Sequence, residues 1–379
     1  MNYLPFGSTG KSVSRLGFGC MRLPMAFTKS GPQVDEQAAT AMLQRGLDLG
    51  INYFDTAYFY HNGLSERILG AALGKRRSEV NVATKCPGNV VNKKGDLRRI
   101  LEEQLERLST GYIDFYHFHG INYDEFQRID AKAGWYEDAV KAKNEGLIKH
   151  ISFSFHSRDF QSPAPDDMMK LIDTGYFESV LCQYNVLDQS NAPAMAYAKQ
   201  KGLGVVVMGP LGGGRVSGLP AEVAAKLGIP VAASAELGLR FVAANPNVDI
   251  ILSGMSSMEQ LEQNCGFVSN LRPLSSSEAD GITAMMQENK RLSELYCTGC
   301  NYCMPCPQEV NIPYIFQMMN YCKVYGIEEF AQNGYRGIGK GWIKGKNADA
   351  CNQCGACEKK CPQGIEIRKQ LAESHAALR

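Results

Sequence analysis

Nothing in this 379-residue chain approaches the roughly 18 consecutive apolar residues that a membrane span requires. Its opening, MNYLPFGSTG, lacks the basic start and apolar core of an export signal, so a cytoplasmic location is expected and no membrane enters the argument. Charge of one sign is missing as well. Forty Lys and Arg balance 39 Asp and Glu, and the net charge of +1 supplies no field to gather nucleic acid or an acidic surface. Low-complexity tracts are absent: the 38 glycines and 16 prolines are dispersed and give no sign of long disorder. No Gly-rich dinucleotide fingerprint follows the first apolar run, which weakens the case for a doubly wound sheet.

Cysteine, by contrast, is plentiful, with thirteen residues that are expected to be reduced thiols in a chain without an export signal. Eight fall in two runs, Cys297-x2-Cys300-x2-Cys303-x2-Cys306-Pro307 and Cys351-x2-Cys354-x2-Cys357-x3-Cys361-Pro362. Cysteines at every third position let a turn present three sulfurs to one [4Fe–4S] cube, while the cysteine before proline reaches a second cube. The tail therefore reads as a ferredoxin-like module with two [4Fe–4S] clusters. Zinc ribbons separate paired CxxC units by longer loops, whereas each run here crowds four cysteines together; two zinc sites, or one cluster with the other run idle, are the alternatives. The second run resembles the bacterial ferredoxin pattern, and the first differs only in the residue count before its last cysteine. That resemblance implies one cube on Cys297, Cys300, Cys303 and Cys361 and the other on Cys351, Cys354, Cys357 and Cys306. Cys20, Cys86, Cys182, Cys265 and Cys322 lie outside the runs; Cys20 and Cys86, beside the expected site, are expected as small buried thiols, with reactive thiols as the alternative.

Upstream, short apolar runs alternate with amphipathic stretches. Strands are expected at Arg15–Cys20, Ile51–Asp55, Val80–Lys85, Ile113–His119, Ile148–Ser154, Ser179–Gln183, Gly204–Met208 and Val248–Leu252. Helical patterns lie between them, as at Asp96–Leu108, where Leu97, Ile100, Leu101, Leu105 and Leu108 mark one face behind Asp96 as N-cap. Eight strands with intervening helices predict an α/β (β/α)8 TIM barrel over residues 1–274, followed by a small α+β ferredoxin-like iron–sulfur domain over 275–379. A short helix is expected at Glu259–Asn264 and a linker at Pro273–Ser277 capping a helix Glu278–Leu295. Between the cysteine runs lie an apolar segment, Ile312–Tyr325, and a Gly- and Lys-rich loop, Gly334–Lys346.

Barrel chemistry sits at the carboxyl ends of strands. The second strand closes on Asp55, the third on Lys85 and the fourth on His119, and Tyr60 follows on the loop leaving strand two. In the motifs FDTAYFYHNGLSE, VATK and YIDFYHFH, with the LGFG start, Ser154, Gln183-Tyr184-Asn185 and SGMSSMEQLEQN, the chain resembles the aldo/keto reductases. The resemblance implies that Asp55, Tyr60, Lys85 and His119 are a catalytic tetrad for a small carbonyl or alcohol substrate with NAD(H) or NADP(H). A phenol of pKa near ~10 is a poor acid at neutral pH. Lys85 is expected to lower it, Asp55 to hold Lys85 charged, and His119 to position the carbonyl oxygen. His117 is expected as a packed, hydrogen-bonded core residue, and His156, where the next barrel loop begins, as either a substrate contact or a surface loop residue.

Resemblance also implies nicotinamide contacts at Ser154 and Gln183, with Phe155 where the family often has Asn and Met208 at the ring-stacking position. Gly254 and Gln260 stand where the family grips the adenosine 2′-phosphate with basic residues, with Asn264 retained. Without a cation there, weak discrimination or NADH use is expected. Nicotinamide moves two electrons and a cubane one, and no flavin pattern is visible to convert between them. The expectation is therefore an oxidoreductase coupled to or modulated by its clusters; an electron-transfer protein or ferredoxin-driven reductase is the alternative. Arg336, Lys340, Lys344 and Lys346 offer a docking face to an acidic ferredoxin-like partner.

Overall fold

In the computed structural model, residues 1–28, 31–156, 164–212, 216, 233–284, 303–323, 327–341, 343–361 and 365–379 are described. The chain divides into two compact units, one built from Met1–Ser157, Ala164–Gly213 and Glu236–Pro273, the other containing Leu274–Arg379. The strands are β1 (Tyr3–Pro5), β2 (Ser12–Ser14), β3 (Leu16–Gly19), β4 (Met25–Thr28), β5 (Gly31–Val34), β6 (Tyr53–Asp55), β7 (Asn81–Pro87), β8 (Ile113–His119), β9 (Ile148–Phe155), β10 (Ser179–Gln183), β11 (Gly204–Met208) and β12 (Ile250–Gly254). Eight of these, β3 and β6 to β12, close into a parallel barrel in the order β10-β11-β12-β3-β6-β7-β8-β9. Each lies within two residues of its expected bounds.

Period-two alternation sorts the barrel residues into two cores. Phe54, Val82, Tyr116 and Phe118 face the surrounding helices and join a large buried cluster with Leu97, Ile100 and Leu101. Tyr53, Ala83, Phe115, Leu181, Val206 and Ile250 form a separate cluster that fills the barrel. Phe6 closes its amino-terminal end, 5.0 Å from the Phe115 ring. Burying that side chain contributes on the order of 2 kcal/mol. Gly204 is required there, because a Cβ would stand 2.4 Å from the Phe6 ring. The hairpin β1–β2 that carries this plug is absent from the sequence expectation, its strands being only three residues each.

In the barrel unit two expected features change. Asp96 is not an N-cap: Gly95 caps the helix Asp96–Arg107, and the Asp96 carboxylate accepts from the backbone N–H groups of Asn92 and Lys93 at 2.8 and 3.0 Å, closing the preceding turn. The short helix after the last barrel strand runs longer, Met258–Ser269, with Ser257 as its cap.

In the second unit, residues 276–284 are helical and Ser275 and Glu278 exchange side-chain to backbone hydrogen bonds across the first turn. The rest of the expected helix to Leu295 lies outside the described residues. Helices Ile312–Lys323, Glu328–Arg336 and Ile367–Leu378 enclose a core that includes Ile315, Phe316, Met318, Tyr335 and Leu371. Part of the expected loop Gly334–Lys346 is therefore helix. Gly334 is there for close approach, since a Cβ would lie 2.2 Å from the Met318 sulfur. No helix among the described residues is long and apolar enough to cross a membrane.

Candidate active site

Because Tyr53, Ala83 and Phe115 point into the barrel, Asp55, Lys85, His117 and His119 point inward on the same strands, progressively nearer the carboxyl ends. Asp55 and Lys85 are fully buried, 2% and 1% exposed. The Lys85 ammonium donates to Asp55 Oδ1 and to the Thr56 carbonyl oxygen, the latter at 2.6 Å. A buried ammonium is tolerable only with such partners. Burial pulls Lys85 down, but Asp55 and then Tyr60 outweigh it and hold the ammonium above its ordinary range.

Tyr60 and His119 are half-buried at the mouth. Their rings meet edge to face with centroids 6.1 Å apart, and Lys85 Nζ stands 4.8 Å from the Tyr60 ring centroid. His61 and Asn62, at φ 50° and 57°, form the left-handed reversal that follows Tyr60. The expected acidification of Tyr60 is only partly present: burial is the largest influence and raises the phenol, while Lys85 pulls it down. Tyr60 thus holds its proton at neutral pH, next to a cation able to stabilise the phenolate. Burial, then Lys85, pushes His119 down to about 3. A neutral imidazole can donate a hydrogen bond to a carbonyl oxygen without competing as the proton source. No His119 ionisation should therefore appear in a pH–rate profile between roughly pH 5 and 8; a limb in that range abolished by His119→Asn would contradict this.

A buried polar network behind Lys85 escaped the sequence reading. Gln104 Nε2 donates to Glu66 Oε1, Thr84 Oγ1 and the Lys85 carbonyl oxygen at 2.7, 3.0 and 3.1 Å. Tyr116 donates to Gln104 at 2.7 Å, and Arg107 pairs with Glu66 at 3.1 Å. These bonds fix the backbone that carries Lys85. The available signal was Gln104 itself, a polar residue on the apolar face marked by Leu97, Ile100, Leu101 and Leu108.

The expected nucleotide contacts are spread over the ends of β9, β10, β11 and β12 and the helix Met258–Ser269. Ser154 is buried and its hydroxyl accepts from Gly120 N at 2.7 Å; Gly120 in turn lies beside the exposed His156 ring. Gln183 donates to Asp188 at 3.0 Å. Met208 packs on the barrel's inner cluster, and Phe155 is buried. Gln260 accepts from Ser256 N at 2.8 Å, and Asn264 donates to Ser253 at 3.3 Å. Gly254 is exposed, and a Cβ there would meet the Arg22 side chain at 3.3 Å. Arg22, from the segment after β3, thus brings a guanidinium stem to the position where the local sequence has no cation.

Of the cluster cysteines, Cys297 and Cys300 lie outside the described residues. Cys303, Cys306, Cys351, Cys357 and Cys361 all pack into the core of the second unit, and Cys354 is exposed. Burial raises the Cys357 thiol, and Cys306 is among the groups whose charge it feels. Among the described residues no three His, Cys, Asp or Glu gather closely enough for a single ion; a cubane spreads its thiolates over separate irons. Cys20, Cys86, Cys182 and Cys265 are buried, and burial pushes Cys86 and Cys182 up to about 12, which disfavours the reactive thiolate. Cys322 is half-buried and burial raises it too. Of the basic docking residues, Lys346 pairs with Glu309 at 2.8 Å and Arg336 ends its helix, donating to the Arg379 carbonyl oxygen at 3.2 Å.

Comparison with known proteins identifies both parts of the chain. The aldo/keto reductase family model matches residues 15–287, and the 4Fe-4S dicluster domain model matches residues 296–366. L-galactose dehydrogenase from Arabidopsis thaliana is 31% identical over 76% of this chain and 95% of its own length. An aldo-keto reductase from Bacillus halodurans, solved in its holo form, superposes with a TM-score of 0.61 at 28% identity, covering 75% of this chain and 96% of that one. An aldo/keto reductase from Klebsiella pneumoniae, solved with NADP and acetate, gives 0.59 at 25% identity, covering 75% and 94%. The chain belongs to the aldo/keto reductase family and carries a 4Fe-4S dicluster domain after its barrel.

Proposed function

We propose that the barrel reduces an aldehyde or ketone, or oxidises the corresponding alcohol, with a nicotinamide nucleotide, and that the appended domain holds two [4Fe–4S] clusters. The observation that carries this reading is the buried Lys85–Asp55 pair set against Tyr60 and His119. A bound nicotinamide supplies the hydride. His119 holds the carbonyl oxygen by its N–H, Tyr60 gives that oxygen a proton, Lys85 stabilises the phenolate left behind, and Asp55 keeps Lys85 charged and aimed. In oxidation the same residues act in reverse, with Tyr60 accepting the proton. Consumption of NADH or NADPH with a panel of aldehydes and ketones tests the reading; no turnover with any of them would overturn it.

Ser154, Gln183, Met208 and Gly254 at the strand ends, with Gln260 and Asn264 on the helix that follows, would hold the nucleotide. With Gly254 and Gln260 offering no charge and Arg22 alongside, kcat/KM for NADH and NADPH should lie within about tenfold of each other. Side-by-side kinetics decide this, and a preference for NADPH beyond about a hundredfold would contradict it. Gln183, already engaged by Asp188, is the one observation that favours the second reading, an electron-transfer protein with weak nicotinamide binding. Titration calorimetry with each nucleotide separates the two.

The clusters would take Cys297, Cys300, Cys303 and Cys361, and Cys351, Cys354, Cys357 and Cys306. Cys306, Cys351 and Cys357 all pack at one core, as the second set requires. Clusters supply single electrons, so bleaching of their absorbance by NADH would indicate redox exchange with the barrel, and unchanged absorbance a structural or sensing role.

A further inference from the structure

His117 sits one inward position below His119 on β8, and the mechanism above does not use it. It is fully buried, and neither ring nitrogen makes a well-formed hydrogen bond, the Phe153 backbone on β9 being only a weak acceptor for the ring. Its Nε2 stands 3.7 Å from Asp55 Oδ2. Asp55 Oδ2 is also buried without a donor, although Oδ1 receives the Lys85 ammonium. Ser152, in register with His117 on the next strand, bonds to Ser179. A buried carboxylate oxygen with no donor, facing an imidazole with no well-formed partner, is costly unless the two complete each other, and catalytic hydrogen bonds are often long before substrate binds.

We propose that His117 is a positioning residue for Asp55: its neutral imidazole carries the proton on Nε2 and donates it to Oδ2, fixing the carboxylate whose other oxygen aims Lys85 at Tyr60. The titratable groups around this pair are Tyr53 from β6, Lys85 from β7, His119 from β8, Cys20 after β3 and Tyr60 from the mouth loop. From β9, the Phe153 backbone is a second acceptor for the ring and favours its charged form. Burial first, and then Lys85 and His119, outweigh that and keep the ring neutral. A neutral imidazole has one N–H, and a carboxylate attracts it more strongly than a carbonyl does, which selects Nε2. The kinetic half of this inference rests on the proposed carbonyl chemistry; the position of the proton does not.

The test compares His117→Leu with His117→Gln, whose amide nitrogen reaches where Nε2 stands. In His117→Leu, kcat should fall by about tenfold or more with little change in KM. The acid limb of kcat should move to higher pH, because a buried carboxylate that has lost a donor keeps its proton longer. His117→Gln should restore both. Wild-type kcat and acid limb in His117→Leu, or equal impairment in the two variants, would overturn the proposal. A ¹⁵N spectrum of histidine-labelled wild-type protein, with His117→Leu identifying the signal, needs no turnover. A neutral ring protonated at Nε2 is expected from roughly pH 6 to 8; a proton on Nδ1, or a ring that titrates there, would overturn it. A chain that reduced no carbonyl would refute the proposed reaction and leave the spectrum to decide the role of His117.

Discussion

Tyr60→Phe is expected to lower kcat for carbonyl reduction by about 10²- to 10⁴-fold, the usual range for loss of a positioned general acid. The ring, its edge contact with His119 and its place beside Lys85 all survive the change; only the proton is lost. Nucleotide Kd and iron content should therefore stay at wild-type values. His119 cannot take over as donor, because burial and Lys85 hold it neutral down to about pH 3. Steady-state kinetics with nucleotide binding measured in parallel make the test. Activity within about threefold of wild type would remove Tyr60 from the mechanism.

The second large effect belongs to the other unit. Cys357→Ala should remove one of two clusters and with it about half of the iron, read by iron analysis and by the EPR spectrum of the anaerobically reduced protein. Cys357 is buried in the same core that receives Cys303, Cys306, Cys351 and Cys361. Ligation there is coupled to folding of the surrounding helices, so the melting temperature should fall as well. Full iron retention would remove Cys357 from the ligand set, and an iron-free wild-type protein prepared without air would remove the clusters altogether.

What the sequence could disclose depended on how local the determining interaction was. Strands β8, β10 and β11 match their expected bounds because each is a short apolar run bounded by turn signals. Asp55 and His119 were legible because strand ends place them without reference to distant residues, and Lys85 because alternation turns it inward, although its strand runs on to Pro87 rather than closing there. Asp96 was misread because either role, cap or turn closure, puts an acidic side chain at the same point in the sequence, and only the positive φ of Gly95 separates them. Gly334 read as loop because a glycine chosen for helix-to-helix contact is indistinguishable from one chosen for flexibility until the partner, Met318, is known. Arg22 beside Gly254, Gln104 behind Lys85 and the facing of His117 and Asp55 are long-range meetings that no local window contains. The direction of Tyr60 was half-read for the same reason: Lys85 was visible from the motifs, whereas the packing that outweighs it belongs to the folded barrel.

The most direct test of the Lys85–Tyr60 partnership is an ultraviolet difference titration of phenolate formation, with Tyr60→Phe identifying the Tyr60 signal, in wild-type protein and in Lys85→Met. Tyr60 should ionise above the ordinary tyrosine range in the wild type, since burial dominates, and at still higher pH once the ammonium is gone. A Tyr60 that ionises at the same pH or lower in Lys85→Met would show that the buried cation does not stabilise the phenolate, and the proton transfer assigned to this site would fall with it.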